Sequence, residues 1–318
     1  MRSPLCLKFF FLVTAVVLAA GMAAARDQSS VMVVDAYNKK INVAANANAK
    51  RSAGGLAKMV TGMVTLDWAA ASRVGLNVLA TVPDYAPQIA GPMTLDLRPG
   101  DKLTLRDLVY ATMMSSDNMA AITLGDFIGR DHLSRLGRGG DPLGEFVRQM
   151  NQLALKEGCK NTRFTNPHGY ENTRVAPHTT AADMARLALY AAARPAMRFY
   201  TTQENRDLTV YRQGERISVT VSNSNQLLGV DRIDGIKATN TPRAGGCVVV
   251  SAEKAPSVYQ QPDGASVIYR HRLIVVVLGS GNPFGEARSL LQQGWSVYDG
   301  WLQAGRPVSD ARQLLPNY

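Results

Sequence analysis

The 318-residue sequence predicts an α+β fold, with an antiparallel sheet segregated from a block of helices. Three observations carry that reading. Two short β-branched runs lie near residues 30–43. Residues 56–193 repeat apolar positions at helical spacing. From residue 207 the period shortens to that of strands, before one last helical stretch. At 46% hydrophobic and 19% charged, the chain is too apolar to be intrinsically disordered.

The first segment reads as a targeting signal. Arg2 and Lys8 are basic, Phe9 to Ala20 is apolar, and Ala23-Ala24-Ala25 offers small residues for cleavage before Arg26. The apolar stretch is short for a bilayer, which needs about 20 residues. A signal peptide over residues 1–25 is therefore expected rather than a retained anchor, and with it export to a periplasmic or secreted location. The formal charge of +10 falls to +8 when Arg2 and Lys8 leave with the leader. The remaining basic residues are dispersed, so general surface charge is the better reading and no nucleic-acid partner is expected. Cys6 lies in the leader. Cys159 and Cys247 read as two separate buried thiols rather than a pair. The four histidines show no metal-ligand spacing, so neither metal nor cofactor is expected.

The elements follow in order. Val31, Val33 and Val34, then Ile41 and Val43, flank a polar turn and predict two strands. Leu56 to Trp68 has a broad apolar face, which predicts a central, buried helix with Gly54-Gly55 at its start. Thr104 is positioned to cap a helix through Met113. Ser115-Ser116-Asp117-Asn118 interrupts it, and a second helix is expected from about Met119 to Ile128. Gly139 to Pro142 reads as a loop, Phe146 to Glu157 as helix, Asn166 to Gly169 as a turn-rich loop and Thr180 to Ala193 as helix. Asp207–Val221, Gly235–Ala252 and Ser266–Gly279 read as strands. Glu286 to Trp301 reads as the closing helix, followed by a short polar tail, 302–318.

Three segments carry candidate chemistry: Gly55-Leu56-Ala57-Lys58, Ser116-Asp117-Asn118 and Lys237-Ala238-Thr239. Their order resembles the S-x-x-K, S-x-N and K-T-G motifs of the D-alanyl-D-alanine carboxypeptidases, the low-molecular-mass penicillin-binding proteins of the S11 peptidase family. The surrounding sequence is similar as well. Leu97-Arg98-Pro99-Gly100-Asp101, Asn161 to Tyr170, Thr179 to Ala185 and Asn223-Ser224-Asn225 look like further family motifs, in family order, across roughly residues 30 to 300. The resemblance implies a DD-peptidase/β-lactamase-like fold over residues 26–301. It also implies a cell-wall protein whose partner is the D-Ala-D-Ala end of peptidoglycan stem peptides, or a β-lactam. No membrane anchor is expected after signal cleavage.

The departures from the motifs bear on activity. Gly55 stands where the family has its nucleophilic serine. A hydroxyl is needed there, one helical turn before the lysine that accepts its proton. Ser52 is the nearest serine, but it lies outside that turn. The K-T-G threonine is Ala238 and its glycine is Thr239. The resemblance assigns Lys58, Ser116 and Asn118 to the catalytic positions and Lys237 and Thr239 to substrate binding. The expectation is a catalytically impaired or dead relative that still binds stem peptide. An active carboxypeptidase with a displaced or artificially removed nucleophile, or a β-lactamase-like hydrolase, remains the alternative. The same polar residues also admit a second role, as a cationic cleft or a hydrogen-bonded network holding the two halves together. His168, His178 and Asp183 read as structural residues of loop, turn and helix start. Met113 and Met114 read as core.

Overall fold

The computed structural model describes residues 29–261 and 263–316. The expected signal segment, 1–25, lies outside them. Strands β1 (Ser30–Asp35) and β2 (Ile41–Ala45) form the predicted hairpin, with Asp35 Oδ1 accepting from the backbone N–H groups of Tyr37 and Asn38. Strands β3 (Leu79–Thr81), β4 (Lys102–Thr104), β5 (Asn205–Arg212) and β6 (Glu215–Ser222) make one antiparallel sheet in that order. Strands β7 (Ile233–Thr241), β8 (Gly245–Gln260) and β9 (Ser266–Ser280) complete a larger one of order β2-β1-β9-β8-β7, with all neighbours antiparallel.

The helices are α1 (Ala57–Ser72), α2 (Ala86–Ala90), α3 (Leu105–Met113), α4 (Asn118–Arg135), α5 (Pro142–Lys156), α6 (Ala181–Ala192), α7 (Pro195–Thr201) and α8 (Pro283–Gln303). The five-stranded sheet is covered on both faces, which accounts for the unbroken apolar run from Leu273 to Leu278. Alternation sorts its side chains. Val31, Val33, Val275 and Val277 pack with Leu291 and Tyr298 of α8, whereas Met32, Val34, Ile274 and Val276 join the core of the helical lobe. Helix α1 runs through that lobe with Met59, Val60 and Met63 fully buried, as its broad apolar face predicts. Among the described residues no helix is long and apolar enough to cross a membrane.

Several expectations are corrected. Helix α4 begins at Asn118 and runs seven residues beyond Ile128, because Asp117 caps it and Gly129 is accommodated inside it. Helix α5 begins at Pro142, capped by Asp141. The single stretch 207–221 is a hairpin turning at Gln213-Gly214, and 235–252 is two strands joined at 242–244. The segment after α8 is not merely a polar tail. Leu315 is buried, residue 314 bridges Lys40, and the Trp301 indole donates to the Pro307 carbonyl. Strands β3 and β4 and helices α2 and α7 had no sequence signal long enough to read. Cys159 and Cys247 are free and buried, as expected.

Candidate active site

A 3-10 turn, Gly54–Leu56, leads into α1 and sets Lys58 one turn after Gly55. The Asn166–Gly169 loop packs on this turn. An added Cβ at Gly169, where φ is +77°, would stand 1.9 Å from the Gly54 carbonyl oxygen. Thr61 Oγ1 donates to the Pro167 carbonyl at 2.6 Å, and Lys58 Nζ donates to the His168 carbonyl at 2.7 Å. Lys58 is 3% exposed. Burial lowers its pKa to about 7, against the upward pull of the Asp117 carboxylate. The same burial, together with the Lys58 charge, lowers His168 to about 3, so its imidazole is neutral. Its Nδ1 accepts from the Tyr170 N–H, which suits the structural role expected of it.

The break between α3 and α4 makes the second wall. Thr104 caps α3 by accepting from the Asp107 N–H, as its sequence position predicts. Ser116 then takes a left-handed φ of +62°, a strained position for a residue with a side chain. Asp117 is fully buried. Its Oδ1 accepts from Ala120 N–H at 2.8 Å, and its Oδ2 accepts from Thr94 N–H, Thr94 Oγ1 and Leu95 N–H. Asn118 Nδ2 donates to the Ala90 and Pro92 carbonyls at 2.7 and 2.8 Å. The motif therefore clamps segment 90–95 onto the head of α4.

Strand β7 makes the third wall. Lys237 is 1% exposed, and its Nζ donates to Ser224 Oγ at 3.2 Å and to the Ala238 carbonyl at 3.0 Å. Burial first, and the Lys58 charge second, hold its pKa well below the usual lysine value. Thr239 reaches across to the first wall. A Cβ built on Gly55 would lie 2.4 Å from Thr239 Oγ1, 3.1 Å from Thr239 Cβ and 3.5 Å from Ser116 Oγ.

These walls enclose a cavity of about 500 Å³, lined by Gly55, Lys58, Ser116, Asn118 and Thr239 among others. Lys237 lies behind its wall rather than on it. The expected network among Lys58, Ser116 and Asn118 is corrected: the hydrogen bonds of Lys58 and Asn118 run to backbone carbonyls instead of to one another. In the expected cationic cleft, burial makes both lysines easier to deprotonate, which lowers its positive charge. Ser52 is not on the cavity wall; its hydroxyl donates to Glu171. Sequence reasoning missed Thr94 and Phe284, which also line the cavity. Neither sits in a motif, so no local signal marked them. Ser224 stood in the Asn-Ser-Asn motif without a role, and its contact with Lys237 supplies one.

Comparison with known proteins bears on the family. The sequence profile of the D-alanyl-D-alanine carboxypeptidases, peptidase S11, matches residues 18–259. The chain is 29% identical over 280 residues to D-alanyl-D-alanine carboxypeptidase DacD of Salmonella typhimurium, covering 84% of this chain and 63% of that protein. It is 30% identical over 275 residues to DacD of Escherichia coli, covering 83% and 62%. The chain thus spans somewhat under two thirds of the length of these relatives. In fold it is similar to the Streptomyces K15 DD-transpeptidase, with a TM-score of 0.68, 23% identity and coverage of 84% and 96%. It is also similar to penicillin-binding protein D2 of Listeria monocytogenes in its cefotaxime-bound form, with a TM-score of 0.65, 23% identity and the same coverage. Three ordered motifs around one cavity, a matching fold and a profile spanning most of the sequence place this chain in the D-alanyl-D-alanine carboxypeptidase family, peptidase S11.

Proposed function

We propose that this chain is an exported cell-wall protein that binds the D-Ala-D-Ala end of peptidoglycan stem peptides without forming an acyl-enzyme. Its signal segment would be residues 1–25, and its peptide-binding unit residues 26–301. The observation that carries the reading is the glycine one helical turn before Lys58. Acyl transfer in this geometry needs an oxygen there to attack the carbonyl, and glycine has none. Ala238 in place of the K-T-G threonine supports it, since the hydroxyl expected to meet the substrate carboxylate is gone. Lys58, Ser116, Asn118 and Thr239 would contact the peptide, with Lys237 supporting β7 from behind. No metal or cofactor is required for this role.

The test is incubation of the wild-type protein with a fluorescent penicillin, followed by intact mass. No adduct is expected, with reversible displacement of a bound N-acyl-D-Ala-D-Ala dipeptide by the same penicillin. A stoichiometric adduct overturns the reading. One observation favours that second outcome. Burial lowers the Lys58 pKa to about 7, so part of it is neutral at physiological pH and able to accept a proton from another hydroxyl. Ser116 and Thr239 both line the cavity, and peptide mapping of an adduct would tell them apart.

A further inference from the structure

We infer that Gly55 and Thr239 are a single interlocked change: Thr239 excludes the family's serine at position 55, the missing side chain at Gly55 makes the room that Thr239 fills, and together they withhold covalent chemistry. The inference rests on the reading of position 55 as the vacated nucleophile site and goes beyond it. The two residues lie 184 positions apart in sequence, yet they compete for one volume. The 2.4 Å between Thr239 Oγ1 and a Cβ at position 55 is closer than unbonded atoms approach, and Thr239 Cβ follows at 3.1 Å. No rotation of a new side chain at 55 relieves a clash made by its own Cβ. Relief must come from Thr239, which is β-branched, stiff at χ1 and fixed on a strand paired with β8 through Thr239–Cys247.

The consequence is directional. Restoring the serine alone meets the threonine, while removing the threonine alone leaves a hollow beside Gly55. Only the two changes together return both a hydroxyl and the room for a ligand carbonyl in front of it. In that double variant the introduced hydroxyl attacks the β-lactam carbonyl and the lactam C–N bond breaks. The hydroxyl proton passes through neutral Lys58 to the lactam nitrogen. The ester that results carries the full mass of the penicillin.

The experiment compares the wild type, Gly55→Ser, Thr239→Gly and the double variant. Thr239→Ala serves as a second background that keeps the strand better satisfied. Thermal unfolding and fluorescent-penicillin adduct mass are read for each. Gly55→Ser alone is expected to lower Tm by about 5 °C and to take no adduct. In the Thr239→Gly background the same substitution is expected to cost little Tm and to yield a stoichiometric adduct; in Thr239→Ala, which keeps the Cβ at 3.1 Å, it is expected to cost less Tm than in the wild type and still to yield an adduct. Additive Tm changes overturn the interlock, because contacting residues that exclude one another must couple. An adduct on Gly55→Ser alone, equal to that of the double variant, overturns it as well. Tm coupling without an adduct in the folded double variant overturns the claim that this pair withholds the chemistry. An adduct on the wild type overturns the reading of function instead, and leaves the Tm cycle to judge the interlock.

Discussion

Asp117 has four donors on its two carboxylate oxygens and no exposed surface. Three of the donors come from Thr94 and Leu95, and the fourth is a free N–H of the first turn of α4, where negative charge is favoured. Asp117→Ala strands these groups, and each buried orphan costs about 1–3 kcal/mol. A loss of roughly 3 kcal/mol or more is therefore expected in urea unfolding. The same substitution removes the charge that holds Lys58 up, so the Lys58 titration should move to still lower pH. A smaller stability loss would show that segment 90–95 is held by other contacts, and a Lys58 pKa that stays put would show that the Asp117 charge does not reach Lys58. Sequence alone marked this aspartate only as the middle of a motif. Three of its four donors are at least 22 residues away in sequence, and nothing local announces them.

At the scale of elements, capping made much of the helical lobe legible. Thr104 and Thr180 sit where an oxygen must accept from the third residue on, and both do. Asp117 and Asp141 do the same work, but their helices start earlier than apolar spacing alone indicates, because their first turns are not periodic. The three-residue strands β3 and β4 escape any periodicity test and exist because they pair with each other. The loop before α6 is tied to α1 by close approach rather than by pattern. At Gly169 a Cβ meets a backbone oxygen at 1.9 Å and φ is +77°, whereas at Gly100 φ is +85° and the surroundings are open. Gly100→Ala should therefore cost only the φ penalty, about 1 kcal/mol. Gly169→Ala should cost roughly 3 kcal/mol and weaken binding of the N-acyl-D-Ala-D-Ala dipeptide, since Gly54 must shift. Equal losses at the two glycines in thermal unfolding would refute the close-approach account.

Over the whole molecule, the cleft brings one buried lysine from the helical lobe against another from the sheet. Between pH 7 and 10.5 the unfolded chain holds the Lys58 proton that the folded chain has released. Unfolding then takes up protons, so the stability contributed by this residue rises with pH across that window, and its penalty is full below pH 7. Lys237 acts in the same direction. The urea midpoint of the wild type, measured from pH 7 to 9.5, should therefore climb relative to that of Lys58→Met. Parallel curves would mean that Lys58 stays protonated in the folded protein.

The sequence by itself determined the α+β class, the order of the longer elements, the family, and the absence of a hydroxyl at position 55. These are properties of local pattern, capping and residue identity, and they need no knowledge of what lies across the cleft. Only the tertiary structure decided that Lys237 stands behind its wall, that Lys58 and Asn118 bond to carbonyls and not to each other, and that Thr239 occupies the space a side chain at 55 would need. The physical reason is the same in each case. Excluded volume, burial and hydrogen-bond partners are set by atoms brought together from distant parts of the chain, and no spacing along the sequence encodes a distance across a cavity.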